Sequence, residues 1–595
     1  MASLLDLRPN RELLNSNFDH YQLSLDRVPM YETPLDDGID VAKPPESTFS
    51  SHHAKLFGLH NHLIADPWNN DSVYFCDTHW NIGRVQIGKT GKPQVQDSLF
   101  IVPHAADLRI KPVRFNVSLG FPSKNLAVVC NGSDHLYLLE TADRNSSDKW
   151  KTLFDMSVPV SAQAGALVDC TLWLEGELRR VECLLASVEE VEGETKEKHR
   201  SPWVMQMHWL SLSTVDGIKW NHERTRRLEG TKPFDSACLE RGGKEIHIVG
   251  PHMYRMVEDS LKPVEVIEDG WEVVECEGMD SSPLYTWSQT ASDLTVHLTL
   301  PDTSLTKANL SVDISGTRLE LAIKNGLELL KGDFSARVDV DACTWTLDGR
   351  RLEISLEKVE AEMWPSVIVG DSRGQLVMTP EQLQAVHERL AHLTSEDWNP
   401  GPDKGQKPYN TQMLEECDAL DGDGVILTCI DGETHTVTHK VVANNQYLFS
   451  VQTDPNLSPA ICLRHDVDGF LWQVNSSSEK VRSTECPWQH VGVLNAFGYV
   501  LASKTQRRFC TCTPDMSVAV VADGHRHVFL YRQNVSVLSP LRNRKTGQQI
   551  SSVAKQQVLA LDCQPDTILG LVVSNSKIFV ATDQKIFVYV IKADE

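Results

Sequence analysis

The chain has 595 residues, with 57 basic and 81 acidic side chains, and a formal net charge of −24 at pH 7. A surface this acidic repels phosphate backbones and anionic membranes, so we expect no direct binding to nucleic acid or to a membrane. Hydrophobic residues make up 41% of the chain, which is enough for sizeable cores.

The amino terminus has no basic start followed by an apolar run, and no apolar stretch approaches the roughly 18 residues that a membrane helix needs. The 14 cysteines are scattered rather than regularly spaced, which is typical of reduced thiols. We therefore expect a soluble intracellular protein.

Residues 1–44 are predicted to be an extended segment, because prolines such as Pro9, Pro29 and Pro34 interrupt regular helices and strands. We expect this segment to pack over the β structure that follows.

Two β-rich blocks, residues 45–275 and 413–592, show the same repeating pattern. An apolar strand, a polar turn and a second apolar strand recur in units of roughly 40 to 50 residues, a period typical of propeller blades. The first block would supply about four blades and the second about three, which together make one ring of about seven. The strands near Ile578 and Ile586 would then have to pair with the amino-terminal block. The alternative is two separate β domains.

Between these blocks, residues 283–372 alternate apolar and polar side chains with a period of two. Leu294, Val296 and Leu298 are separated by Thr295 and His297, which indicates a half-buried strand. Further alternating runs are separated by turn dipeptides such as Asn325-Gly326, Asp348-Gly349, Ser315-Gly316 and Lys331-Gly332. About seven short strands in this length predict an antiparallel β-sandwich, so the fold class is all-β. The pattern alone does not distinguish it from an immunoglobulin-like module without an intersheet disulfide.

Five motifs in the segment decide between these sandwiches. They are Trp287-Ser-Gln289-Thr290, Asp293-Leu-Thr-Val296, Gly332-Asp-Phe334, Thr344-Trp345-Thr-Leu347 and Leu356-Glu-Lys358. Together they resemble the CS domain of the NudC family. The segment departs from that pattern at Trp364-Pro365, where relatives often carry two tryptophans.

The resemblance implies a non-catalytic co-chaperone or adaptor. It would bind client proteins with β-propeller (WD-repeat type) domains, together with the ninety-kilodalton heat-shock chaperone, in the cytoplasm and also in the nucleus. The alternative is a scaffold whose own propeller recruits a constitutive partner, with the CS domain in a supporting role.

Roles are predicted for four aromatic or apolar residues of the segment. Leu356 and Trp345 are predicted to anchor the core of the sandwich. Trp287 and Trp364 lie near the ends of the domain and are predicted to be exposed contacts to a protein partner, because tryptophan offers a large contact area.

Two elements are predicted between the sandwich and the second block. Thr379-Pro380 is an N-cap followed by proline at the first helical position, and apolar residues then recur at helical spacing, so we predict a helix over 378–396. The run rich in proline and glycine over 397–412 is predicted to be a linker.

One stretch formally satisfies the phosphate-binding loop pattern. It is Gly83-Arg-Val-Gln-Ile-Gly88-Lys89-Thr90. A phosphate loop lies between a strand and a helix, whereas here the intervening residues alternate like a strand and a turn follows. We therefore predict a hairpin of a blade at this position.

Four pairs of residues have a spacing that could offer two metal ligands: Cys510 with Cys512, His525 with His527, Cys76 with His79, and His60 with His62. None has a partner pair at the spacing of a zinc finger, and the acidic run from Asp421 lacks the ligands of a calcium loop. With no catalytic triad evident either, we expect no metal, no cofactor and no enzymatic activity.

Overall fold

The structure is a computed structural model that describes residues 3–592 with gaps. The undescribed internal residues are 16–17, 19, 44–49, 89–90, 104–113, 147, 159–164, 191–201, 265–284, 301–306, 325–327, 349, 372, 378–423, 444, 475–485, 505, 543–548 and 562–566. The helix predicted over 378–396, the linker predicted over 397–412 and the acidic run from Asp421 lie outside the described residues. The chain divides into two compact units, Met1–Glu277 with Leu393–Glu595 and Gly278–His392.

The first unit begins with eighteen strands in the described part of the chain. In order they are β1 (Ser3–Leu5), β2 (Tyr21–Leu23), β3 (Met30–Pro34), β4 (Ile64–Asp66), β5 (Asn69–Cys76), β6 (Asn81–Ile87), β7 (Pro93–Ile101), β8 (Ser118–Ser123), β9 (Leu126–Cys130), β10 (His135–Glu140), β11 (Lys151–Ser157), β12 (Ala166–Glu175), β13 (Leu178–Glu190), β14 (Trp203–Thr214), β15 (Asn221–Gly230), β16 (Ser236–Leu239), β17 (Glu245–Gly250) and β18 (Arg255–Asp259). Helix α1 (Ser51–Leu59) precedes β4, and its N-cap Ser50 accepts a hydrogen bond from the backbone N–H of His53.

The remaining strands follow in two groups. The second unit contains β19 (Tyr285–Gln289), β20 (Asp293–Thr299), β21 (Leu310–Ile314), β22 (Arg318–Ile323), β23 (Glu328–Asp333), β24 (Thr344–Asp348), β25 (Arg351–Glu357) and β26 (Gly374–Leu376). The first unit resumes with β27 (Val425–Asp431), β28 (Val437–Ala443), β29 (Tyr447–Val451), β30 (Ala460–His465), β31 (Asp468–Val474), β32 (Trp488–Leu494), helix α2 (Phe497–Ala502), β33 (Arg507–Cys512), β34 (Val518–Asp523), β35 (His527–Arg542), β36 (Gln549–Ala560), β37 (Gly570–Val573), β38 (Lys577–Ala581) and β39 (Lys585–Val590).

Seven sheets make up the first unit in the described residues. Taken along the chain, they are blade 1 (β4–β7), blade 2 (β8–β11), blade 3 (β12–β15 with β18), blade 4 (β16, β17, β27 and β28 with β1), blade 5 (β29–β32), blade 6 (β33–β36 with β2) and blade 7 (β37–β39 with β3). Blade 4 contains strands from both β-rich blocks. The alternative prediction, that the blocks form two separate β domains, is therefore wrong. The prediction of an all-β chain with a propeller of about seven blades is confirmed.

Apolar side chains fill the spaces between successive blades and close the ring. Phe579 and Val588 of blade 7 lie in one buried cluster with Val73, Phe75 and Val85 of blade 1. A cluster of this kind removes from water the inner faces that an open ring would expose.

The amino-terminal segment adds three short strands to the edges of these blades. β1 pairs in parallel with β28, β2 pairs in parallel with β36, and β3 pairs antiparallel with β39. The strand containing Ile586 therefore takes its amino-terminal partner from residues 30–34, whereas the predicted partner was the block that begins at residue 45. This pairing covers backbone groups that would otherwise be a free edge.

The second unit is the predicted sandwich. One sheet has the order β24-β25-β20-β19-β26 and the other β21-β22-β23, and their apolar faces enclose a single buried core. Ser315-Gly316 forms the predicted turn between β21 and β22. Lys331-Gly332 was predicted to be a connection, but it lies inside β23, because the period of two continues through both residues. Asn325-Gly326 and Gly349 lie outside the described residues.

Candidate functional site

The two tryptophans predicted to be exposed are buried. Trp287 is 3% exposed and Trp364 is 2% exposed, and both belong to the core of the sandwich. The prediction is wrong for Trp287 because its side chain lies on the face of β19 that packs into the core, as does that of Tyr285. β26 also pairs with β19, with Leu376 opposite Trp287, so β19 is not an edge strand. Side chains this deeply buried do not contact a partner in this conformation.

The two residues predicted to anchor the core differ from each other. Leu356 is 2% exposed and lies on β25 opposite Leu294, as predicted. Trp345 is only half-buried, and the ammonium group of Lys307 lies 5.3 Å from the centre of its ring. The indole therefore covers the edge of the core and takes part in a cation–π contact.

Buried polar bonds hold the loop that follows β25. The Nζ atom of Lys358 donates to Gln289 Oε1 at 2.8 Å, to the Thr290 carbonyl at 2.8 Å and to the Glu362 carbonyl at 2.7 Å. Gln289 also accepts from the Trp364 backbone N–H at 2.8 Å and donates from Nε2 to the Trp364 carbonyl at 2.8 Å. Both ends of the segment 359–363 are therefore fixed to β19.

The environment of Lys358 accounts for its electrostatics. Burial lowers the pKa of this ammonium group, and the nearby carboxylates of Glu362 and Asp293 act in the opposite direction. The charged form is kept in place by its three acceptors, because an ammonium group has three N–H donors and all three are used here.

The 359–363 loop carries apolar side chains into solvent. Val359 and Met363 are each 59% exposed, and the residues between them are Glu360, Ala361 and Glu362, all exposed. A loop that is held at its base while it presents valine and methionine costs little entropy on binding, and methionine is enriched in protein interfaces. No periodic pattern in the sequence predicts this loop. Its one local clue is a pair of apolar residues in an acidic turn after the last alternating strand.

A second candidate surface is a cavity of about 600 Å³ on the propeller. Turns of blades 1 to 5 contribute to its wall, among them Trp68, Lys124, Trp220 and Asn456. Trp220 is 5% exposed, and its indole N–H is buried without a hydrogen-bond partner. Arg241 in the wall is held by the Leu457 carbonyl at 3.1 Å and by Gln452 at 3.2 Å. Such a mixed wall suits a polar peptide segment.

The stretch that matched the phosphate-loop pattern is a hairpin, as predicted. Arg84 to Ile87 belong to β6, which pairs antiparallel with β7, and the Gly88 N–H donates to the Lys92 carbonyl at 3.0 Å. A methyl group on Gly83 would lie 2.6 Å from the Phe75 ring, so this glycine serves packing between β5 and β6. Lys89 and Thr90 lie outside the described residues.

The structure describes the surroundings of residues from all four candidate metal pairs. The rings of His60 and His62 meet edge to face at 4.6 Å, and His527 Nδ1 lies 2.7 Å from Asp523 Oδ2. Cys510 and Cys512 are both on β33. His79 lies near two carboxylates, Asp37 and Asp77, and Asp77 already accepts from two backbone N–H groups in this turn.

Among the helices that the structure describes, none combines the length and the apolar character needed to cross a membrane.

Comparison with known proteins identifies the family of the sandwich and finds relatives that match nearly all of this chain. The family model of the CS domain matches residues 283–358. NudC domain-containing protein 1 of Mus musculus is 34% identical over 598 residues, which cover 98% of this chain and 98% of that protein. The protein of the same name from Xenopus tropicalis is 32% identical and covers 99% of this chain and 98% of its own length.

A solved β-propeller domain, that of Cps50 (Swd1) from Myceliophteria thermophila, aligns with 90% of this chain and 97% of its own length, at 7% identity and a TM-score of 0.30. Because this TM-score is low, the assignment of a propeller depends on the strand pairing described above and not on this similarity. The full-length similarity to the mouse and frog proteins shows that the chain belongs to the NudC domain-containing protein 1 family.

Proposed function

We propose that this protein is a non-catalytic co-chaperone or adaptor that binds protein clients with β-propeller domains, in concert with the ninety-kilodalton heat-shock chaperone. It would act in the cytoplasm and also in the nucleus. The observation that carries the proposal is the 359–363 loop, which presents Val359 and Met363 on a base fixed by Lys358, inside a domain of the CS type.

The physical support is the combination of exposure and rigidity. Burying two half-exposed apolar side chains in an interface gives a favourable free energy of roughly 25 cal/mol per Å² of apolar surface. The polar bonds at Gln289 and Trp364 mean that little loop entropy is lost in doing so. The acidic residues Glu360 and Glu362 favour a partner surface with basic residues around an apolar centre.

The experiment is a pull-down from cell extract with the full-length protein and a double variant, Val359→Asp with Met363→Asp. We expect the variant to lose the heat-shock chaperone and the partners that contain propellers, because a carboxylate at the centre of an apolar contact stays unpaired. The control is Leu25→Asp, which changes an apolar residue that is 81% exposed in the first unit. An unchanged partner list in the double variant contradicts this proposal.

The second candidate function is the scaffold, in which the propeller itself recruits a constitutive partner. The cavity of about 600 Å³ favours it, because its wall contains Lys124, Arg179 and two tryptophans. The paired variant Lys124→Glu with Arg179→Glu reverses the charge of that wall. Loss of partners in this variant, with retention in the loop variant, supports the scaffold instead.

A further inference from the structure

Blade 4 carries a row of cysteine and histidine side chains across its four main strands. The register places Cys238 of β16 opposite His247 of β17, His247 opposite Cys429 of β27, and Cys429 opposite His439 of β28. Residues directly opposite each other in a sheet point to the same face, with neighbouring Cβ atoms about 4.5–5.5 Å apart. The row is therefore a continuous line of alternating thiol and imidazole groups on one face.

A carboxylate completes a compact group in this row. Glu245 lies two residues before His247 on β17, so its side chain is on the same face. The ligand atoms of Glu245, His247 and Cys429 all lie within 4.8 Å of one another. His247 Nε2 is 3.7 Å from Glu245 Oε2, which is too long for a hydrogen bond. It is close to the edge of a zinc coordination tetrahedron, about 3.3–3.6 Å for metal–ligand bonds of 2.0–2.3 Å.

The imidazole groups of the row are buried but incompletely bonded. His247 is 3% exposed, and its Nδ1 atom has no hydrogen-bond partner. His439 is 8% exposed, and its Nε2 atom has none either, while its Nδ1 lies 3.0 Å from the Thr438 hydroxyl. Neither nitrogen of His247 has a hydrogen bond, because its Nε2 atom lies 3.7 Å from Glu245 Oε2. Buried polar atoms in native proteins are nearly always paired, so a buried imidazole without a hydrogen bond, beside a thiol and a carboxylate, points to a ligand that Nε2 would bind.

A β-bulge shapes one side of the group. The register of β27 and β28 shifts between Cys429 and Ile430, which leaves Thr438 as the extra residue. The Thr438 hydroxyl lies 3.3 Å from Glu245 Oε1 and can orient this carboxylate. Bulges often re-aim side chains at functional sites, and a hydrogen bond to a ligating carboxylate is typical of metal centres.

We propose that Glu245, His247 and Cys429 bind one zinc ion in blade 4. One thiolate, one imidazole and one carboxylate form a ligand set that zinc accepts and that magnesium or calcium does not. The thiol of Cys429 loses its proton to solvent as the zinc–sulfur bond forms, and no atom changes its oxidation state. The side chain of Glu245 is 27% exposed, so water has access to the fourth coordination position.

Zinc here would link two parts of the chain that are far apart in sequence. His247 precedes the inserted second unit and Cys429 follows it. A metal bond across β17 and β27 therefore closes a loop of on the order of 180 residues, which is where cross-links stabilise the folded state most.

The test is metal binding by the full-length protein after dialysis against a chelator. The probes are Zn²⁺, measured by its content per chain and by competition with a chromophoric chelator, and Co²⁺, measured by its absorption spectrum. We expect one zinc per chain and a cobalt complex with the near-ultraviolet band of a thiolate ligand. Absence of stoichiometric zinc, or a cobalt spectrum without that band, overturns the proposal.

Variants assign the ligands and provide the control. Cys429→Ser should remove the thiolate band, and Glu245→Gln and His247→Gln should each weaken zinc binding by at least about tenfold. Glu245→Gln is the variant that tests binding with the least risk to folding, because its side chain is partly exposed. The matched control is His208→Gln, another buried histidine with an unpaired Nδ1 that lies on β14, outside this group. Equal loss of zinc in His208→Gln, or unchanged zinc affinity in Glu245→Gln, overturns the assignment.

Discussion

The substitution Asp259→Asn tests the joint between blades 3 and 4. Asp259 lies at the end of β18, and its side chain is fully buried. Its carboxylate accepts two hydrogen bonds from Arg224, at 3.0 Å from Nε and 2.5 Å from Nη2. His435, in the turn after β27, lies 2.6 Å from the same carboxylate. Arg224 also donates to the carbonyl of Gly432 at 3.0 Å. One buried charge thus ties together β15, β18 and a turn of blade 4.

The magnitude follows from what remains after the change. Removing one partner of a buried ion pair costs about 3–5 kcal/mol, because the other charge stays buried. Arg224 would keep the Gly432 carbonyl and its contact with Glu433, whose side chain is 55% exposed. We therefore expect a loss of about 3 kcal/mol, at the lower end of that range.

The loss should depend on pH in a definite direction. Burial raises the pKa of Asp259, but the hydrogen bonds from Arg224, from the Leu261 N–H and from His435 outweigh it and hold the pKa well below its ordinary value. A carboxyl group with a depressed folded-state pKa stabilises the protein fully above its unfolded pKa of about 3.9, and this stabilisation is lost as the pH falls through the folded pKa. The difference between wild type and Asp259→Asn should be full at pH 7 and smaller at pH 3.

The assay is hydrogen exchange of peptides from β14, β15 and β18, corrected for the intrinsic rate at each pH, because it reports this sheet alone in a chain of two units. The control is Glu258→Gln in the same strand. Glu258 forms an ion pair with Arg227, but its side chain is 62% exposed. We expect the control to cost less than about 1 kcal/mol. A loss in Asp259→Asn no larger than in the control, or one that does not diminish at pH 3, refutes the reasoning.

Four further predictions concern the two folds and the stretch that matches the phosphate-loop pattern. Deleting 575–595 removes β38 and β39, whose apolar side chains cover Phe75 and its neighbours in blade 1. Limited proteolysis should then cut residues 64–101 faster, and normal protease resistance there contradicts ring closure. Leu356→Pro should unfold the sandwich, because β25 pairs on both sides, and unchanged exchange in β20 would contradict this. Gly83→Ala should cost about 1–3 kcal/mol through its clash with Phe75, measured by thermal unfolding. The purified protein should hydrolyse no ATP, and Lys89→Ala should cost under about 0.5 kcal/mol and leave partner binding intact in a pull-down; nucleotide turnover that Lys89→Ala abolishes would contradict the binding-protein interpretation.

Local patterns in the sequence predicted the repeating strands well. The period of two and the turn residues are properties of a few adjacent positions, so the blades and the sandwich could be read directly. The edge strands β1, β2 and β3 could not, because each has three to five residues and its partner is hundreds of positions away. β18 likewise joins blade 3 after the chain has already built two strands of blade 4.

The tryptophans show why position along a domain is a poor guide to exposure. Trp287 lies in the first strand of the sandwich, but the last strand, β26, pairs beside it and makes it interior. That strand falls at 374–376, just beyond the predicted boundary of 372. Lys358 and Gln289 belong to the motifs found in the sequence. Their hydrogen bond to each other, and the bond of Gln289 to the Trp364 N–H, could not be predicted, because they depend on the register between strands and not on spacing along the chain.

The insertion within blade 4 is energetically modest for a physical reason. The cost of closing a flexible loop grows as about (3/2)RT ln n, so roughly 175 residues between β17 and β27 cost about 4.6 kcal/mol, only about 3 kcal/mol more than a five-residue hairpin. The folded insert lowers this further, because Tyr285 of β19 pairs with Gly374 of β26 and brings the two ends of the sandwich together. Six residue pairs join β17 to β27, and both strands add side chains to the buried clusters on either face of blade 4. The pairing thus compensates for the interruption, which is why one ring forms from two blocks whose blade repeat is broken in the sequence.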